Sequence, residues 1–287
     1  MLELYYPNIE MVNVQLYQIA PHLAPYVRQV WSLDLSLDGD AVDLRMTADC
    51  YPHLVIRCEH SADGLWLPGD GIIPTATLKG ISTQSITYKM SPKYSHIAVS
   101  FYPNAIKNLL GIDACETVDQ LISAEHIFSK DMIEQIIIAD SHFQRAQLIN
   151  SLLTEKLLKR HSYQSDRRTA DFLLNHKDAY HKKLSDYNIS ERHFRRLFYS
   201  EIGLSPTFYK RLYRFESILT SIRNDSFESL TELAYQFEYA DQSHFCKEFK
   251  AFTGESPHSF IKKDRIFEDR GLVERPDDNS HFIGALL

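Results

Sequence analysis

The chain has 287 residues and a formal net charge of −7, with 44% hydrophobic and 24% charged residues. This length predicts two domains, and the composition is typical of a globular protein. The sequence has no run of 18 apolar residues and no basic segment leading into an apolar one, so we expect neither a membrane span nor a signal peptide.

Cysteine usage and charge distribution narrow the class of protein further. The cysteines Cys50, Cys58, Cys115 and Cys246 lack C-x-x-C spacing, which predicts free thiols in a reducing cytoplasm. Residues 167–263 carry 16 Lys and Arg against 13 Asp and Glu, whereas the rest of the chain carries 15 against 25. The net charge of the whole chain is negative, but residues 167–263 carry a net positive charge. Nucleic acid therefore stays a candidate partner.

The first hundred residues predict a sheet. Alternating, β-branched or aromatic runs occur at 12–16, 27–35, 53–58, 85–90 and 96–101. Glycine and proline residues separate these runs, as at Pro52, Gly80 and Pro92. Short strands at this spacing predict a small barrel or a sandwich.

Helical spacing begins after Pro103. We predict helices at 104–110, closed by Gly111, and at 129–138 and 142–159. The last contains one apolar stripe, formed by Ile149, Leu152, Leu153, Leu157 and Leu158. This stripe is either part of the core or the seam of a homodimer.

Domain boundaries follow from these changes. We predict a first domain at 1–160, a polar linker at 161–165, a helical second domain at 166–263 and an acidic tail at 264–287. Ser165 and Asp166 cap a predicted helix that runs to about residue 175 and opens the second domain.

Two kinds of small-ligand site were considered in the first domain. Cys50, His53, Cys58 and His60 suggest a metal, but on a strand His53 faces away from Cys58 and His60, so no metal site is predicted. The aromatic residues Trp31, Tyr51, Trp66 and Tyr88 are candidates to line an effector pocket, or they form part of the core.

The second domain contains an internal duplication. Residues 190–198 match residues 241–249 at a shift of 51, and the glycine and Ser-Pro positions that follow repeat at the same shift. In each copy two phenylalanines at i, i+4 define a buried face, and a glycine ends the helix. A short helix precedes each copy, at 182–187 and 231–237, so the pattern predicts two helix-turn-helix units joined by a helix that begins at Pro206.

These residues resemble the AraC/XylS family of transcription regulators over 166–262. The matching positions are Ile189-Ser190, Leu197-Phe198, Gly203-x-Ser205-Pro206, Glu232-Leu233-Ala234, Asp241-Gln242-Ser243-x-Phe245-x-x-x-Phe249-Lys250, Thr253-Gly254-x-Ser256-Pro257 and Phe260. Scattered positions of the first domain, such as Leu23-Ala24-Pro25-Tyr26-Val27 and Phe101-x-Pro103, resemble the uncharacterised N-terminal domain of many such regulators. The resemblance implies an α+β chain, in which a small cupin-like β-barrel with following helices precedes an all-α domain of two helix-turn-helix units.

The resemblance also assigns candidate DNA contacts. It places Arg192, Arg195 and Arg196 at one major-groove segment, and Gln242, Ser243, His244, Cys246 and Lys247 at a second. Arginine can bridge guanine O6 and N7, and glutamine can do the same on adenine. Candidate phosphate contacts are Lys210, Arg211, Arg214 and Lys250.

The favoured hypothesis is a cytoplasmic, sequence-specific regulator of transcription that binds double-stranded DNA and a small effector, with no cofactor and no enzymatic activity. A homodimer through residues 142–159 is possible. The alternatives are a metal-dependent cupin-type enzyme fused to a DNA-binding module, and a regulator without an effector. Because Asp241 and Glu248 flank the second unit, we expect the first unit to supply most of the affinity for DNA. Glu238 occupies a turn where the family usually has glycine, which predicts a reshaped turn.

Overall fold

The computed structural model describes residues 8–58, 64–67, 71–160 and 190–262. The linker, the predicted helices at 166–175 and 182–187 and the acidic tail lie outside the described residues. The described part is α+β, with a sheet-rich N-terminal part and a helical C-terminal part.

Six antiparallel strands form the larger sheet, in the order β1-β2-β9-β4-β7-β10. Their bounds are Asn8–Tyr17 (β1), Val27–Asp38 (β2), His53–Arg57 (β4), Ala76–Lys79 (β7), Lys93–Phe101 (β9) and Leu121–Ser123 (β10). Every strand predicted from the sequence lies on one of the observed strands. Apolar and polar side chains alternate along a strand with one buried face, so the pattern identifies such strands directly.

A smaller antiparallel sheet has the order β3-β8-β5-β6. Its strands are Val42–Met46 (β3), Leu65–Leu67 (β5), Gly71–Ile72 (β6) and Ile86–Met90 (β8). Within the described residues no strand pairing joins the two sheets, and the sheet is not closed into a barrel. The predicted barrel is therefore wrong, because alternation identifies strands and says nothing about closure.

The larger sheet has a different core on each face. Leu54, Leu78 and Val99 belong to a cluster that also contains residues of the two helices Lys130–Ile138 (α1) and His142–Lys159 (α2). On the opposite face, Trp31 and Ala98 pack with Met90 of the smaller sheet. The predicted helix after Pro103 is a π-helical turn at Ile106–Leu110, closed by Gly111.

The apolar stripe of α2 is mostly core. Ile149, Leu152 and Leu153 are buried, and Leu157 packs against the same cluster. Leu158 is 61% exposed, as is Phe143 at 63%. The dimer seam stays a prediction.

The described C-terminal part contains the helices Glu191–Ile202 (α3), Pro206–Arg223 (α4), Leu230–Gln236 (α5) and Gln242–Thr253 (α6), and residues 257–262 are also helical. Their buried aromatic residues form one cluster, in which Phe198 packs on Tyr209 and Phe215 packs on Phe249. The long helix α4 thus connects the two duplicated units through a common core.

The two parts of the chain are in contact. Ala48, Cys50 and Ile81 of the N-terminal part belong to the helical cluster. The Ala48 amide donates a hydrogen bond of 2.8 Å to the Phe252 carbonyl oxygen, and the Ser200 hydroxyl donates one of 3.0 Å to Asp113. The end of α3 and the end of α6 therefore both rest on the N-terminal part.

Candidate nucleic-acid interface

Helix α3 separates an apolar face from a basic one. The Ser190 hydroxyl caps it by accepting from the His193 amide at 3.2 Å, and Gly203 ends it with φ +86°. Phe194 and Phe198 are buried beneath the helix. The three predicted base-contact arginines, Arg192, Arg195 and Arg196, are all exposed.

Two of these arginines have local partners. Arg195 pairs with Glu191 one turn earlier, and the Arg196 guanidinium donates to His193 Nδ1 at 3.3 Å. Both contacts lie on the surface, where ion pairs contribute about 0–1 kcal/mol. DNA phosphates or base edges can therefore displace them at little cost.

Helix α6 has the same buried face, cap and glycine end as α3, but its cap is an aspartate. Asp241 Oδ1 accepts from the His244 amide at 2.7 Å, and Gly254 ends the helix with φ +80°. Phe245 and Phe249 are buried. The outer face carries Gln242, Ser243, His244 and Lys247, all exposed, whereas Cys246 packs partly against the helical cluster.

The side-chain amide of Gln242 is fixed by a hydrogen bond from the neighbouring helix α5. Thr231 on α5 donates its hydroxyl hydrogen to Gln242 Oε1 at 2.9 Å. The Gln242 amide nitrogen keeps its two N–H donors available to a base edge.

The basic residues of α4 and α6 that were predicted to contact phosphate lie in two different environments. Lys210 is exposed, as is Lys250 on α6, and their contact with phosphate stays a prediction. Arg211 and Arg214 have a partner within the protein. Arg211 Nε donates to Glu248 Oε2 at 2.7 Å, and Arg214 Nη2 donates to Glu248 Oε1 at 2.8 Å.

Glu248 is the centre of a buried polar cluster that joins α4 to α6. Its side chain is only 4% exposed, and it also accepts from the Tyr239 hydroxyl at 2.8 Å. The Arg214 guanidinium lies 3.9 Å from the centre of the Tyr239 ring. Burial alone would raise the pKa of Glu248, but the hydrogen bonds from Arg214, Arg211 and Tyr239 outweigh it, so the pKa lies below its ordinary value.

Because of this cluster, Glu248 does not place a negative charge on the DNA face of the second unit. Glu248 was expected to flank the DNA face and repel phosphate, but its carboxylate points into the protein and is neutralised by Arg211 and Arg214. Asp241 acts as the helix cap. The same pairs compete with any contact of Arg211 and Arg214 to DNA.

The turn between α5 and α6 keeps a left-handed residue that is not glycine. Glu238 has φ +58°, and the Tyr239 amide donates to the Ala234 carbonyl oxygen at 2.9 Å. The Glu238 amide donates to Tyr235, which completes a Schellman motif. The prediction of a reshaped turn is therefore wrong, because the backbone accepts the strain and keeps its hydrogen bonds.

Replacing Glu238 with glycine should stabilise the protein. Relief of the left-handed strain is worth about 1–2 kcal/mol, and the greater freedom of glycine in the unfolded chain removes about 0.5–1 kcal/mol of that. We expect a net gain of about 0.5–1 kcal/mol in the free energy of unfolding, measured in urea. Asp225→Gly is the matched control: Asp225 has φ +48°, but aspartate tolerates this region better, so the gain should be smaller.

Comparison with known proteins follows the same division of the chain. The family "Helix-turn-helix domain", of the AraC type, matches residues 185–263, which contain the duplicated segment. The chain contains an AraC-type helix-turn-helix domain and is a DNA-binding regulator. A second family, "Domain of unknown function (DUF6597)", matches residues 15–123 of this regulator.

Solved structures similar to the regulator include ToxT from Vibrio cholerae. One ToxT structure is 11% identical with a TM-score of 0.45, covering 88% of this chain and 98% of that chain. Another, bound to (E)-4-(8-methylnaphthalen-1-yl)but-3-enoic acid, is 11% identical with a TM-score of 0.44, covering 89% and 100%. No curated protein matches the sequence of the regulator.

The aromatic effector-pocket candidates of the regulator do not share one environment. Trp31 is buried between the sheets, with its ring 4.6 Å from that of His96. Tyr51 packs against the helical cluster, and Arg28 lies 4.4 Å from its ring centre. Trp66 lies on β5, paired with Ile72 and Lys89. Tyr88 is buried and lines a cavity at the edge of the smaller sheet.

The residues considered for a metal site are dispersed among those the structure describes. His53 Nε2 lies 2.7 Å from Asp49 Oδ2, and Cys50 and Cys58 are buried free thiols. His60 lies outside the described residues. Within the described ranges, no group of three His, Cys, Asp or Glu side chains is placed to hold a metal ion, and no helix has the length and hydropathy to cross a membrane.

Sequence reasoning missed two features of the regulator. Lys79 is a buried lysine on an interior strand of the larger sheet, β7, and its ammonium group has no hydrogen-bond partner among the described residues. Glu248 is a buried acid in a helix that was read as a DNA-reading surface. The only sequence signal for Lys79 was a cation at an otherwise apolar position, Thr77-Leu78-Lys79-Gly80, between two predicted strands.

Proposed function

We propose that the regulator reads two successive major-groove segments, one with α3 and one with α6. The observation that supports this is the duplication seen in three dimensions. Both helices bury their phenylalanines in one shared core and turn their polar residues to solvent. Helix α4, of 18 residues, is about 27 Å long. A connection of this length suits two reading helices about one DNA turn, ~34 Å, apart.

The residues proposed to contact bases are Arg192, Arg195 and Arg196 on α3, and Gln242, Ser243, His244 and Lys247 on α6, with Cys246 at the margin because it is partly buried. Lys210 and Lys250 are proposed to contact phosphates. Arg211 and Arg214 are proposed to position α6 through Glu248 first, and to contact phosphate only as a secondary role.

The wider assignment also remains a proposal. Residues 1–160 form a sensor domain, 161–165 a linker, 166–263 the DNA-binding domain and 264–287 a tail. The sensor domain binds a small effector, supplies a homodimer contact through the exposed Phe143 and Leu158 of α2, and carries out no catalysis. The protein acts in the cytoplasm, where its target DNA is found.

Two double-alanine variants test how much α3 and α6 each contribute to the affinity for DNA. DNA selected from a random pool by the wild-type protein supplies the ligand, and we expect two conserved blocks about 10 base pairs apart. Arg195→Ala with Arg196→Ala should weaken binding to this DNA at least tenfold more than Gln242→Ala with Lys247→Ala. The first pair should also reduce the slope of log K against log salt by up to about 0.9 per lost phosphate contact.

Selection with each variant then separates affinity from specificity. The Gln242/Lys247 variant should lose preference at one block and keep it at the other. Lys93→Ala, which removes an exposed cation from the N-terminal part, is the matched control and should leave both quantities unchanged. Equal weakening by the two pairs would contradict the proposed division, and binding unaffected by either pair would contradict the DNA-reading faces themselves.

A further inference from the structure

Tyr199 is an exposed aromatic residue on α3. Its side chain is 52% exposed, and it is not among the described residues that pack in the helical cluster beneath α3. The preceding residue, Phe198, is fully buried in that cluster. Single exposed aromatic residues are common on protein surfaces, so the position of this one carries the argument.

Tyr199 lies on the same face of α3 as the three arginines. It follows Arg196 by three residues and Arg195 by four, and it follows Arg192 by seven. Residues at these spacings share one face of an α-helix. Tyr199 lies about 10 Å along the helix from Arg192, the length of about three base pairs. When the arginines of α3 lie on base edges in a major groove, the Tyr199 ring therefore lies in the same groove, at the outer end of the segment.

The duplication shows which residue the second unit has at this place. The shift of 51 that aligns the two units sets Tyr199 against Lys250, which is also exposed. Lys250 is proposed to contact phosphate. An uncharged side chain neutralises no phosphate and releases no counterion from DNA, so tyrosine cannot replace lysine in that role. At equivalent positions, the first unit thus has an aromatic ring and the second unit has a cation.

The chemistry of the major groove limits what such a ring can recognise. Base edges present hydrogen-bond donors and acceptors there, and the apolar group among them is the C5-methyl of thymine. Arginine binds hydrogen-bond acceptors, whereas aromatic carbon is stabilised by removing the methyl group from water. A ring beside three guanidinium groups therefore adds a base contact that those groups cannot make.

We propose that Tyr199 determines specificity for thymine at the outer end of the base segment read by α3, through contact between its ring and the thymine methyl group. The assignment rests on the proposed function and deepens it. It adds a thymine to the guanine contacts that are open to the arginines of the first unit. Because the contact is uncharged, its contribution to affinity is independent of salt.

Replacement of one thymine by deoxyuridine tests the contact, because it removes the methyl group and keeps every hydrogen-bonding group of the base. DNA selected from a random pool by the full-length wild type supplies the sequence. The block read by α3 is the one that the Gln242/Lys247 variant retains, and we expect a conserved thymine in it. Deoxyuridine at that position should weaken wild-type binding about three- to fivefold, the effect of one methyl group that is no longer buried.

Three variants separate the Tyr199 ring from its hydroxyl and from a charge. Tyr199→Phe keeps the ring and should show the full wild-type loss when the methyl group is removed. Tyr199→Ala should bind the thymine and deoxyuridine DNA equally and keep the wild-type salt dependence. Tyr199→Lys introduces the residue type of the second unit. It should also be insensitive to the methyl group, but its slope of log K against log salt should steepen by about 0.9.

Tyr235→Ala is the matched control. Tyr235 is 64% exposed and lies on α5, outside both reading helices. This variant should keep the wild-type loss when the methyl group is removed. Deoxyuridine in the other block gives a second control, because the wild type and Tyr199→Ala should respond to it alike.

The outcomes distinguish this contact from the proposed function. An equal loss on methyl removal in the wild type and Tyr199→Ala would overturn the contact, as would the lack of a conserved thymine in the block read by α3. Loss of methyl sensitivity in Tyr199→Phe would assign the effect to the hydroxyl and would overturn it too. In each of these cases the wild type still selects two blocks. Failure of the wild type to select any sequence would instead contradict the proposed function.

Discussion

Alanine in place of Glu248 should lower the free energy of unfolding by roughly 3 kcal/mol. The substitution leaves two guanidinium groups and the Tyr239 hydroxyl without their shared acceptor. Removing one partner of a buried ion pair costs about 3–5 kcal/mol, and the lower end applies here because the Arg211 side chain is 42% exposed and can be rehydrated. Urea unfolding of the full-length chain gives the measurement.

Glu191→Ala provides the matched control. Glu191 also pairs with an arginine, Arg195, but both side chains are more than 60% exposed. The loss there should not exceed about 1 kcal/mol. If Glu248→Ala cost no more than Glu191→Ala, the cluster would not join α4 to α6 in solution.

The pH dependence gives a second test of the same residue. The folded-state pKa of Glu248 lies below its ordinary value, so its contribution is present in full above the unfolded pKa and is lost as the pH falls through the folded value. Stability of the wild type should therefore fall with acid in this range more steeply than that of Glu248→Gln. A steeper fall in the glutamine variant would contradict the assignment.

The same variant should act on DNA selectively. Glu248 and Arg214 fix α6 against α4, and Arg214 stacks on Tyr239, whose ring in turn lies 5.3 Å from that of His244. Loosening this contact changes the position of the second reading face and leaves α3 in place. We expect DNA selected with Glu248→Gln to keep the block read by α3 and to lose definition in the other block.

The ends of the reading helices could be predicted from the sequence because their signals are local. Gly203 and Gly254 end α3 and α6 as predicted, and the caps Ser190 and Asp241 are local signals of the same kind, although Asp241 was predicted only to weaken phosphate binding. The burial of Glu248 could not be predicted in this way. Its partners lie 34 and 37 residues earlier in the chain, on a different helix, so only the packing of α4 on α6 brings them together.

The sheet shows the same limit. Alternation located β1, β2, β4, β8 and β9 but not the short strand β7, and a lysine at the end of such a strand is ordinarily exposed, so Lys79 was overlooked. Its burial depends on long-range pairing, since β7 lies between β4 and β10 and is an interior strand of the larger sheet. Whether two sheets close into a barrel is also set by partners distant in sequence, which explains why the barrel was wrong while its strands were right.

The repeated glycines provide a matched pair for the contact between the two parts of the chain. Gly203→Ala and Gly254→Ala introduce the same left-handed strain, about 1 kcal/mol or more each, because the two residues have φ +86° and +80°. Their surroundings differ. A Cβ on Gly203 would lie 2.5 Å from Val118 Cγ2 and 2.7 Å from the Ala114 carbonyl oxygen. On Gly254 the nearest atom is the Ser85 hydroxyl oxygen, at 2.8 Å, which can rotate away.

Gly203→Ala should therefore destabilise the full-length chain by about 2 kcal/mol more than Gly254→Ala, the difference reflecting overpacking against a backbone that cannot yield. Urea unfolding of both variants measures this difference directly. Adding Val118→Ala to Gly203→Ala should recover only part of the loss, because the Ala114 carbonyl stays in the way. Equal losses in the two glycine variants would mean that the end of α3 does not rest on the N-terminal part in solution. A larger loss for Gly203 would make the contact at the end of α3 the firmer of the two contacts between the parts of the chain, because the atoms around Gly254 are side-chain atoms that can move.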